Sequence, residues 1–171
     1  MKFNFQTIIS GDNILLRPLL ESDFDALYQV ASDPLIWEQH PATDRYQEDH
    51  FRTHFFKPAL EAQSAFVIID KQTEQVIGSS RYYDIEPEKQ SIAIGYTFIG
   101  RDYWGNGTNK ELKDLMINHV SDWAEEIWFH VAKQNLRSSK AVEKLGAVLT
   151  DEEASSVDGI PFTRLHYKLT V

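Results

Sequence analysis

The stretch YWGNGTNKEL, residues 103–112, follows an apolar, strand-like run and leads into a helix. Its glycines, Gly105 and Gly107, can adopt left-handed backbone angles and let another group approach the main chain closely. The first turn of the helix adds unpaired N–H groups and the positive end of the helix dipole. An anion such as phosphate fits this junction, but a tight strand-to-helix turn explains a bare G-x-G equally well. The rest of the sequence is needed to distinguish an anion-binding site from a tight turn.

Length and composition limit the class of protein. A chain of 171 residues predicts one domain, residues 1–171, with a substantial core. Its 42% hydrophobic and 25% charged residues are typical of a globular protein. The net charge of −9 argues against a general nucleic-acid binder, which needs concentrated lysine and arginine. The absence of cysteine excludes disulfides, thiolate zinc sites and a cysteine nucleophile.

The chain carries no obvious targeting or membrane segment. The N-terminal sequence MKFNFQTIISGDN lacks the long apolar core of a signal peptide. No stretch approaches the roughly 20 apolar residues that a membrane-spanning helix needs. We therefore expect a cytoplasmic protein with no membrane partner and no nucleic-acid partner.

The residues before the glycine loop predict alternating strands and helices. NILLRPL (13–19) is a short strand, and LLESDFDALYQVAS is a helix that Ser22 could cap. Its buried stripe would contain Phe24, Leu27, Tyr28 and Ala31. QEDHFRTHFFKPALEA (47–62) is helical, and Pro58 should end or kink it. The segments 64–70, 75–84 and 91–99 predict a three-stranded β-meander.

The residues after the loop complete a strand–helix–strand unit: strand 91–99, helix 107–123 and strand 126–131. A right-handed crossover would make the two strands parallel neighbours or leave them splayed beside one another. The loop then opens at the carboxyl end of a strand, where α/β proteins usually bind ligands. A helix over 135–147, closed by Gly146, and two strands, 147–153 and 160–171, follow. The pattern predicts a single mixed α/β domain.

The two common nucleotide-binding motifs do not fit the loop. A P-loop requires G-x-x-x-x-G-K-[ST], a spacing that WGNGTNKE lacks, and a dinucleotide fingerprint requires glycine at position 110, which is lysine. Both nucleotide-binding interpretations therefore weaken. A short loop remains whose amides could grip a pyrophosphate without a metal.

YWGNGTNKELKDLM and NLRSSKAVEKLGA resemble the GCN5-related N-acetyltransferases (GNAT), in the branch that includes the ribosomal-protein alanine acetyltransferases. Further similar segments are ILLRPL, DPLIWEQHPATDRY, VIGSSRYYD, IGYTFIGRDYWG and GIPFTRLHYKL, so the resemblance covers nearly the whole chain. In that family the loop after the fourth strand reads Gln/Arg-x-x-Gly-x-Gly/Ala. Here Gly107 matches, whereas Trp104 replaces Gln/Arg and Asn109 replaces Gly/Ala, as in a W-G-x-G-x-N-x-E-x-K variant of the branch.

The resemblance implies a mixed sheet of about seven strands, with strands four and five splayed into a V, and it implies acetyl-CoA as cosubstrate without a metal. The backbone of residues 105–109 would hold the pyrophosphate, and the edge of residues 97–99 would pair with the pantetheine arm, which Asn135 would also contact. The residues expected to bind the coenzyme are Thr97, Phe98, Ile99, Trp104, Gly105, Asn106, Gly107, Thr108, Asn109, Asn135 and Ser138.

In this family an amine attacks the thioester directly, and a backbone N–H near Phe98 or Ile99 would stabilise the oxyanion. The glutamate that many relatives carry on strand four is replaced by Ala93, so the base is another residue acting through water, or none is required. His130 could serve, or could be a partly buried strand residue; Glu111 could touch substrate, or could belong to the helix surface or cap.

The residues expected to act in catalysis lie at the start of the last helix. The usual acid, a tyrosine seven positions after Asn135, is replaced by Val142. Ser138, one turn earlier, could protonate the thiolate, hydrogen-bond the coenzyme or bond to its own helix backbone. The candidate catalytic residues are therefore Ser138 and Asn135.

The candidate acceptor site combines an irregular segment and a strand. Trp37 and His40 lie where the family's first two helices wall the acceptor cleft, and Arg81 and Tyr83 share one face of a strand. Either pair could instead be simple packing. The acidic total suggests a cationic acceptor.

The expected function is N-acetyl transfer to a primary amine of a small molecule or protein, by a monomer or homodimer. The alternatives are a catalytically silent CoA-binding sensor or interaction module on the same fold, and a nucleotide-binding protein.

Overall fold

A single sheet of eight strands organises residues 3–171, the part of the chain that the computed structural model describes. The strands are β1 (Ile9–Ser10), β2 (Ile14–Pro18), β3 (Ala65–Asp70), β4 (Val76–Glu86), β5 (Ser91–Ile99), β6 (Glu126–Ala132), β7 (Val148–Val157) and β8 (Ile160–Thr170). Their order is β1-β2-β3-β4-β5-β6-β8-β7, and β5 and β6 alone are a parallel pair within this range. The predicted mixed sheet is confirmed. The count is eight rather than seven because β1, only two residues long, is too short to leave a pattern.

The central parallel strands separate soon after they meet. They pair only from Ser91 to Ala93 on β5, although β5 continues to Ile99. A bulge bends β5 just beyond this point: Tyr96 has a φ of 51°, and Tyr96 and Thr97 together face the single residue Ser80 on β4. The family's strands four and five, here β5 and β6, are therefore splayed as predicted.

Five helices cover the sheet within the described residues: α1 (Phe24–Ala31), α2 (Glu48–Phe51), α3 (Lys57–Ala62), α4 (Thr108–Val120) and α5 (Leu136–Lys144). Alternate residues of β3 show which helices share a face. Phe66 and Ile68 belong to the cluster that α4 and α5 cover, whereas Ala65 and Val67 belong to the cluster under α1, α2 and α3. We call these the α4 face and the α1 face.

The predicted helix 47–62 is interrupted as expected before Pro58. A π-helical turn, Arg52–Phe56, joins α2 to α3. Proline lacks an N–H and its ring clashes with the carbonyl four residues earlier, and the wider π turn relieves this crowding. Pro58 thus does not end the helix, which continues as α3 after the π-helical interruption.

Two predicted helix caps have different outcomes. Gly146 is confirmed: its φ is +93°, and its N–H donates to the carbonyl of Glu143 while Ala147 N–H donates to that of Val142. Ser22 as a cap is wrong, because a 3₁₀ turn, Glu21–Asp23, precedes α1. The Asp23 carboxylate, not the serine, accepts from the backbone N–H of Leu20 at 2.8 Å.

Candidate active site

The glycine loop is open on its outer side. Gly105 and Gly107 have φ of +73° and +89°, and a β-carbon built on either one has no heavy atom within 4 Å. Gly107 immediately precedes α4, so its amide lies at the positive end of a 13-residue helix. Among residues 3–171, no acceptor is bonded to the N–H groups of Gly105, Asn106 and Gly107. The loop therefore presents unpaired amides at the start of a helix, together with open space on its glycines.

Polar contacts hold this loop in shape. The side-chain oxygen of Asn106 accepts from the N–H and the hydroxyl of Thr108, at 3.1 and 2.7 Å, which removes that N–H from the set available to a ligand. The indole of Trp104 donates to the carbonyl of Ile99 at 2.9 Å and so ties the loop to the end of β5. The guanidinium of Arg137, from α5, lies 3.9 Å above the Trp104 ring. A cation thus stands beside the loop, which sequence reasoning missed.

A cavity of about 430 Å³ lies on the other side of the loop, towards β2 and β3. Gly107 borders it, but its charged lining consists of Asp12, Asp70 and Glu111 with the single cation Lys71. Like charges repel a pyrophosphate there. The side of the loop that faces α5 and Arg137 suits an anion better.

Glu111, which lines this cavity, ties α4 to the start of β2. Its carboxylate accepts from the N–H and the side-chain amide of Asn13, at 2.8 and 2.9 Å, and from the N–H of Ile14 at 3.2 Å. Although burial raises its pKa, the hydrogen bonds from Asn13 and Ile14 outweigh this and hold the pKa below the ordinary 4.5. The carboxylate fixes the first turn of α4 against the sheet.

We expect Glu111→Gln to lower the free energy of unfolding by about 1 kcal/mol, because an amide NH₂ then faces N–H donors. The lowered pKa means that the contribution of Glu111 is complete above the unfolded pKa and is lost as pH falls through the folded value. Urea unfolding at neutral and acidic pH measures both effects. Glu125→Gln, at an exposed residue whose carboxylate makes no bond within residues 3–171, is the control. Equal stability of the two variants would refute the tether.

The free edge of β5 carries the three residues expected to pair with the coenzyme arm. Beyond Ala93, the β6 side of β5 has no strand partner in the described structure, although β4 still pairs its other edge. Thr97 points to the α4 face, and Phe98 is buried in the α1 cluster. Ala93 is itself buried and paired with Trp128, so no carboxylate stands at the position of the family's glutamate.

The lysine that ends the W-G-x-G-x-N-x-E-x-K pattern, to which sequence reasoning assigned no role, lies beside this edge. Lys113 of α4 is 6% exposed, and its Nζ donates to Thr97 Oγ1 at 2.7 Å. The Thr97 hydroxyl lies 2.8 Å from that of Ser80. Burial lowers the pKa of Lys113 from 10.5 to about 7. The sequence did hold a signal, since Lys113 shares the buried helix stripe with Met116 and Val120 at spacings of three and seven.

Asn135 and Ser138 meet at the start of α5. Asn135 is the N-cap, and its side-chain oxygen accepts from Ser138 N–H at 3.2 Å. Within residues 3–171 the Asn135 amide NH₂ and the Ser138 hydroxyl make no hydrogen bond, so the serine does not bond to its own helix backbone. Val142, one turn on, is buried in the core of the α4 face. Both polar groups are available to a ligand.

The α1 face of the V holds an aromatic and basic cluster. Arg81 and Tyr83 both contact Tyr96: the guanidinium lies 3.5 Å from the Tyr96 ring centroid, and the two tyrosine rings are 5.0 Å apart. The Tyr83 hydroxyl lies 2.8 Å from Nδ1 of His130 on β6. Burial, then His166 and Arg164, lower the pKa of His130 and favour its neutral form. The predicted shared face of Arg81 and Tyr83 is present.

The Arg81 guanidinium is buried without an anion. It is 7% exposed, no carboxylate pairs with it within residues 3–171, and its Nε has no acceptor there. Burial lowers its pKa. A cation in this state favours a ligand that brings an acceptor group.

Trp37 and His40 lie against the same face. Trp37 is buried, its indole donates to the carbonyl of Ala31 at 2.8 Å, and its ring lies 5.2 Å from that of Phe98. Nδ1 of His40 accepts from Ala42 N–H at 3.0 Å. Burial, reinforced by Arg45, lowers the pKa of His40 to about 4, so its ring is neutral at neutral pH.

Residues 3–171 contain no group of three histidine, aspartate, glutamate or cysteine side chains arranged to hold a metal ion. The helices of this range are too short or too polar for any of them to cross a bilayer.

Known proteins identify the family of this fold. The model of the acetyltransferase (GNAT) domain matches residues 13–148, more than half of the chain. An uncharacterized N-acetyltransferase, p20 of Bacillus licheniformis, is 32% identical over 112 residues, which span 63% of this chain and 62% of that relative. The chain thus matches less than two thirds of the relative's length.

Solved structures share the architecture. A probable acetyltransferase of the GNAT family from Chromobacterium violaceum has a TM-score of 0.83 at 20% identity, covering 96% of this chain and 86% of its own. A ribosomal L7/L12 alpha-N-protein acetyltransferase in complex with coenzyme A has a TM-score of 0.76 at 19% identity, covering 96% and 98%. The fold, the splayed strands and the family match agree, and the chain belongs to the GNAT acetyltransferase family.

Proposed function

We propose that this protein transfers the acetyl group of acetyl-CoA to a primary amine. The observation that carries the proposal is the open glycine loop at the start of α4, beside the gap between β5 and β6. A β-carbon at Gly107 would project into the space that a phosphate needs, and the residue there is glycine. The relative solved with coenzyme A supports the choice of ligand through its fold.

The coenzyme would lie across three elements. Amides of Gly105, Asn106, Gly107 and Asn109 would hold the pyrophosphate, with Trp104 and Thr108 shaping the loop. The free edge of β5, residues 97–99, would pair with the pantetheine arm as an added strand. From α5, the Asn135 amide and the Ser138 hydroxyl would contact the same arm. Bound acetyl-CoA supplies an activated acyl group.

The protein would orient the amine, accept its proton and stabilise the oxyanion. A backbone N–H of β5 near Phe98 or Ile99 is the proposed oxyanion donor. Neutral His130, held by Tyr83, is a candidate to accept the amine proton directly or through water. On the coenzyme side, the Ser138 hydroxyl would donate a hydrogen bond to the departing sulfur or relay a proton to it through water. His130, Ser138 and Asn135 are therefore the side chains proposed to assist the transfer of the acetyl group.

The acceptor would enter from the α1 face. Arg81 and Tyr83 would contact it directly, and Trp37 and His40 would form its wall through their packing on Phe98 and Ala42. The unpaired guanidinium of Arg81 favours an amine with an anionic or carbonyl group nearby, such as a peptide N-terminus or an amino acid. This local charge is opposite to the net charge of −9, from which a cationic acceptor was expected.

A panel of amines tests the proposal. Acetyl-CoA is mixed with peptides bearing free N-termini, amino acids, lysine side-chain analogues, polyamines and an aminoglycoside, and release of free thiol is followed. Saturable release with at least one amine is expected, with peptides or amino acids ahead of polyamines. CoA binding without release from any amine would favour the silent sensor, and binding of ATP without CoA would favour a nucleotide site.

Asn135→Ser separates a helix cap from a coenzyme ligand. Serine caps helices about as well as asparagine, so the melting temperature should change little. It lacks the free amide NH₂, so we expect kcat/KM to fall roughly fivefold, the equivalent of about 1 kcal/mol for one lost hydrogen bond. Steady-state kinetics and thermal unfolding measure the two effects. Unchanged kcat/KM would leave Asn135 a cap alone.

A further inference from the structure

Lys113 is a buried cation without an anion. Its ammonium can donate three hydrogen bonds, yet within residues 3–171 only Thr97 Oγ1 accepts one, and no carboxylate lies within salt-bridge distance. A neutral hydroxyl compensates little of the desolvation of an ammonium group. Nothing in the packing of α4 on the sheet requires a charge at this position, because Met116 and Val120 on the same stripe are apolar.

The ammonium lies between the two separating strands. Thr97, which it contacts, is on β5 beyond the last position paired with β6, and the ring centroid of Phe129 on β6 is 6.0 Å from Nζ. Lys113 therefore closes the V from the α4 side. Through Thr97 it contacts the same stretch of β5 that is proposed to pair with the coenzyme arm.

The two faces of the V have different chemistry. His130 alternates with Phe129 on β6, and it bonds to Tyr83 on the α1 face, where the amine is proposed to enter. Lys113 is on the opposite, α4 face, with the glycine loop and α5. An amine that enters from the α1 face leaves the α4 side of the thioester open to a proton donor for the departing sulfur.

We propose that Lys113 is a catalytic residue that protonates the CoA sulfur, an inference that rests on the proposed acetyl transfer. The amine nitrogen forms a bond to the acetyl carbon, and the carbon–sulfur bond breaks with its electron pair on sulfur. The Lys113 ammonium gives its proton to that sulfur, which leaves as the thiol. The proton lost by the amine passes to the base or to solvent, and solvent reprotonates Lys113.

The acidity of Lys113 suits this role. Its pKa of about 7 lies below the roughly 8.5 of an ordinary thiol, so transfer from ammonium to thiolate is favourable. At neutral pH a large fraction of the side chain still carries the proton. The Ser138 hydroxyl is far too weak an acid to supply a proton of its own, and Lys113 provides the source that Val142 cannot.

A binding cycle tests the contact without turnover. CoA and desulfo-CoA, which lacks the sulfur, are titrated calorimetrically into the wild type, Lys113→Met and the control Lys144→Met, at an exposed lysine in the last turn of α5. The wild type and Lys144→Met should prefer CoA by roughly fivefold, the equivalent of about 1 kcal/mol, because Lys113 Nζ forms a hydrogen bond with the thiol group that desulfo-CoA lacks. Lys113→Met should bind both ligands alike. An equal preference for CoA in all three proteins would overturn the proposal, as would a loss at Lys113→Met that is the same for both ligands.

Kinetics complete the test. Lys113→Met should lower kcat by roughly 10²-fold, and the fall of wild-type kcat with rising pH, as the ammonium deprotonates, should disappear in the variant. Wild-type kcat and pH profile in Lys113→Met would overturn the assignment while leaving acetyl transfer intact. A wild type that neither binds CoA nor releases thiol would instead overturn the proposed function.

Discussion

Gly107→Val is expected to weaken CoA binding more than tenfold, which corresponds to about 1.4 kcal/mol or more. The valine side chain would enter the open space above the loop, where nothing lies within 4 Å and where the pyrophosphate is proposed to sit. Gly107 has a φ of +89°, so valine also strains the backbone and can displace the neighbouring amides. Calorimetric titration of CoA into the folded variant measures the loss.

A control variant at a second glycine distinguishes a direct loss of CoA binding from an effect of backbone strain. Gly159, in the turn between β7 and β8, has a φ of +77° and equally open surroundings. Gly159→Val should therefore lose a similar amount of stability, roughly 1–2 kcal/mol, and bind CoA normally. If both variants lose affinity alike, the effect belongs to the fold. If Gly107→Val binds CoA as the wild type does, the pyrophosphate lies elsewhere.

Local patterns in the chain were enough to predict most of the elements. The strand Ser91–Ile99 has the bounds that its apolar residues indicate, and α4 and α5 fall inside the predicted helices. Features set by contacts between distant segments were not predictable. The two residues of β1 are a strand only because they pair with β2, and Ser22 lost its capping role to Asp23, whose carboxylate also binds Arg17.

The residues of the candidate site also fall into two groups: those recognisable from local sequence and those that depend on contacts between distant segments. Gly105, Gly107 and Asn135 were recognisable because left-handed turns and helix caps are local needs of the backbone. The contact of Tyr83 with His130 spans 47 positions and depends on the order of β4, β5 and β6 in the sheet. Lys113 meets Thr97 only because α4 crosses the bulged part of β5. Such groups become visible once the strands are placed.

The pH dependence of folding stability provides an independent measure of the burial of Lys113. Lys113→Met should raise the free energy of unfolding by roughly 1–4 kcal/mol below pH 7, because it replaces an unpaired buried ammonium with an apolar side chain of similar length. The folded pKa of about 7 is lower than the ordinary 10.5. Between these values the unfolded chain binds a proton that the folded chain does not, so wild-type stability rises with pH. The destabilisation caused by burying the charged Lys113 is complete below the folded pKa and absent above the unfolded pKa.

The advantage of Lys113→Met should therefore shrink as pH rises. Each pH unit inside the window is worth up to about 1.4 kcal/mol, so urea unfolding at about pH 6 and about pH 9 should show the difference from wild type falling by roughly 2 kcal/mol. Lys144→Met, exposed to solvent, should show no such change. A difference that is constant with pH would mean that the Lys113 ammonium finds an anion or water in solution. A shrinking difference, together with lost turnover, would mean that the chain keeps a destabilising cation between its central strands because the reaction needs a proton there.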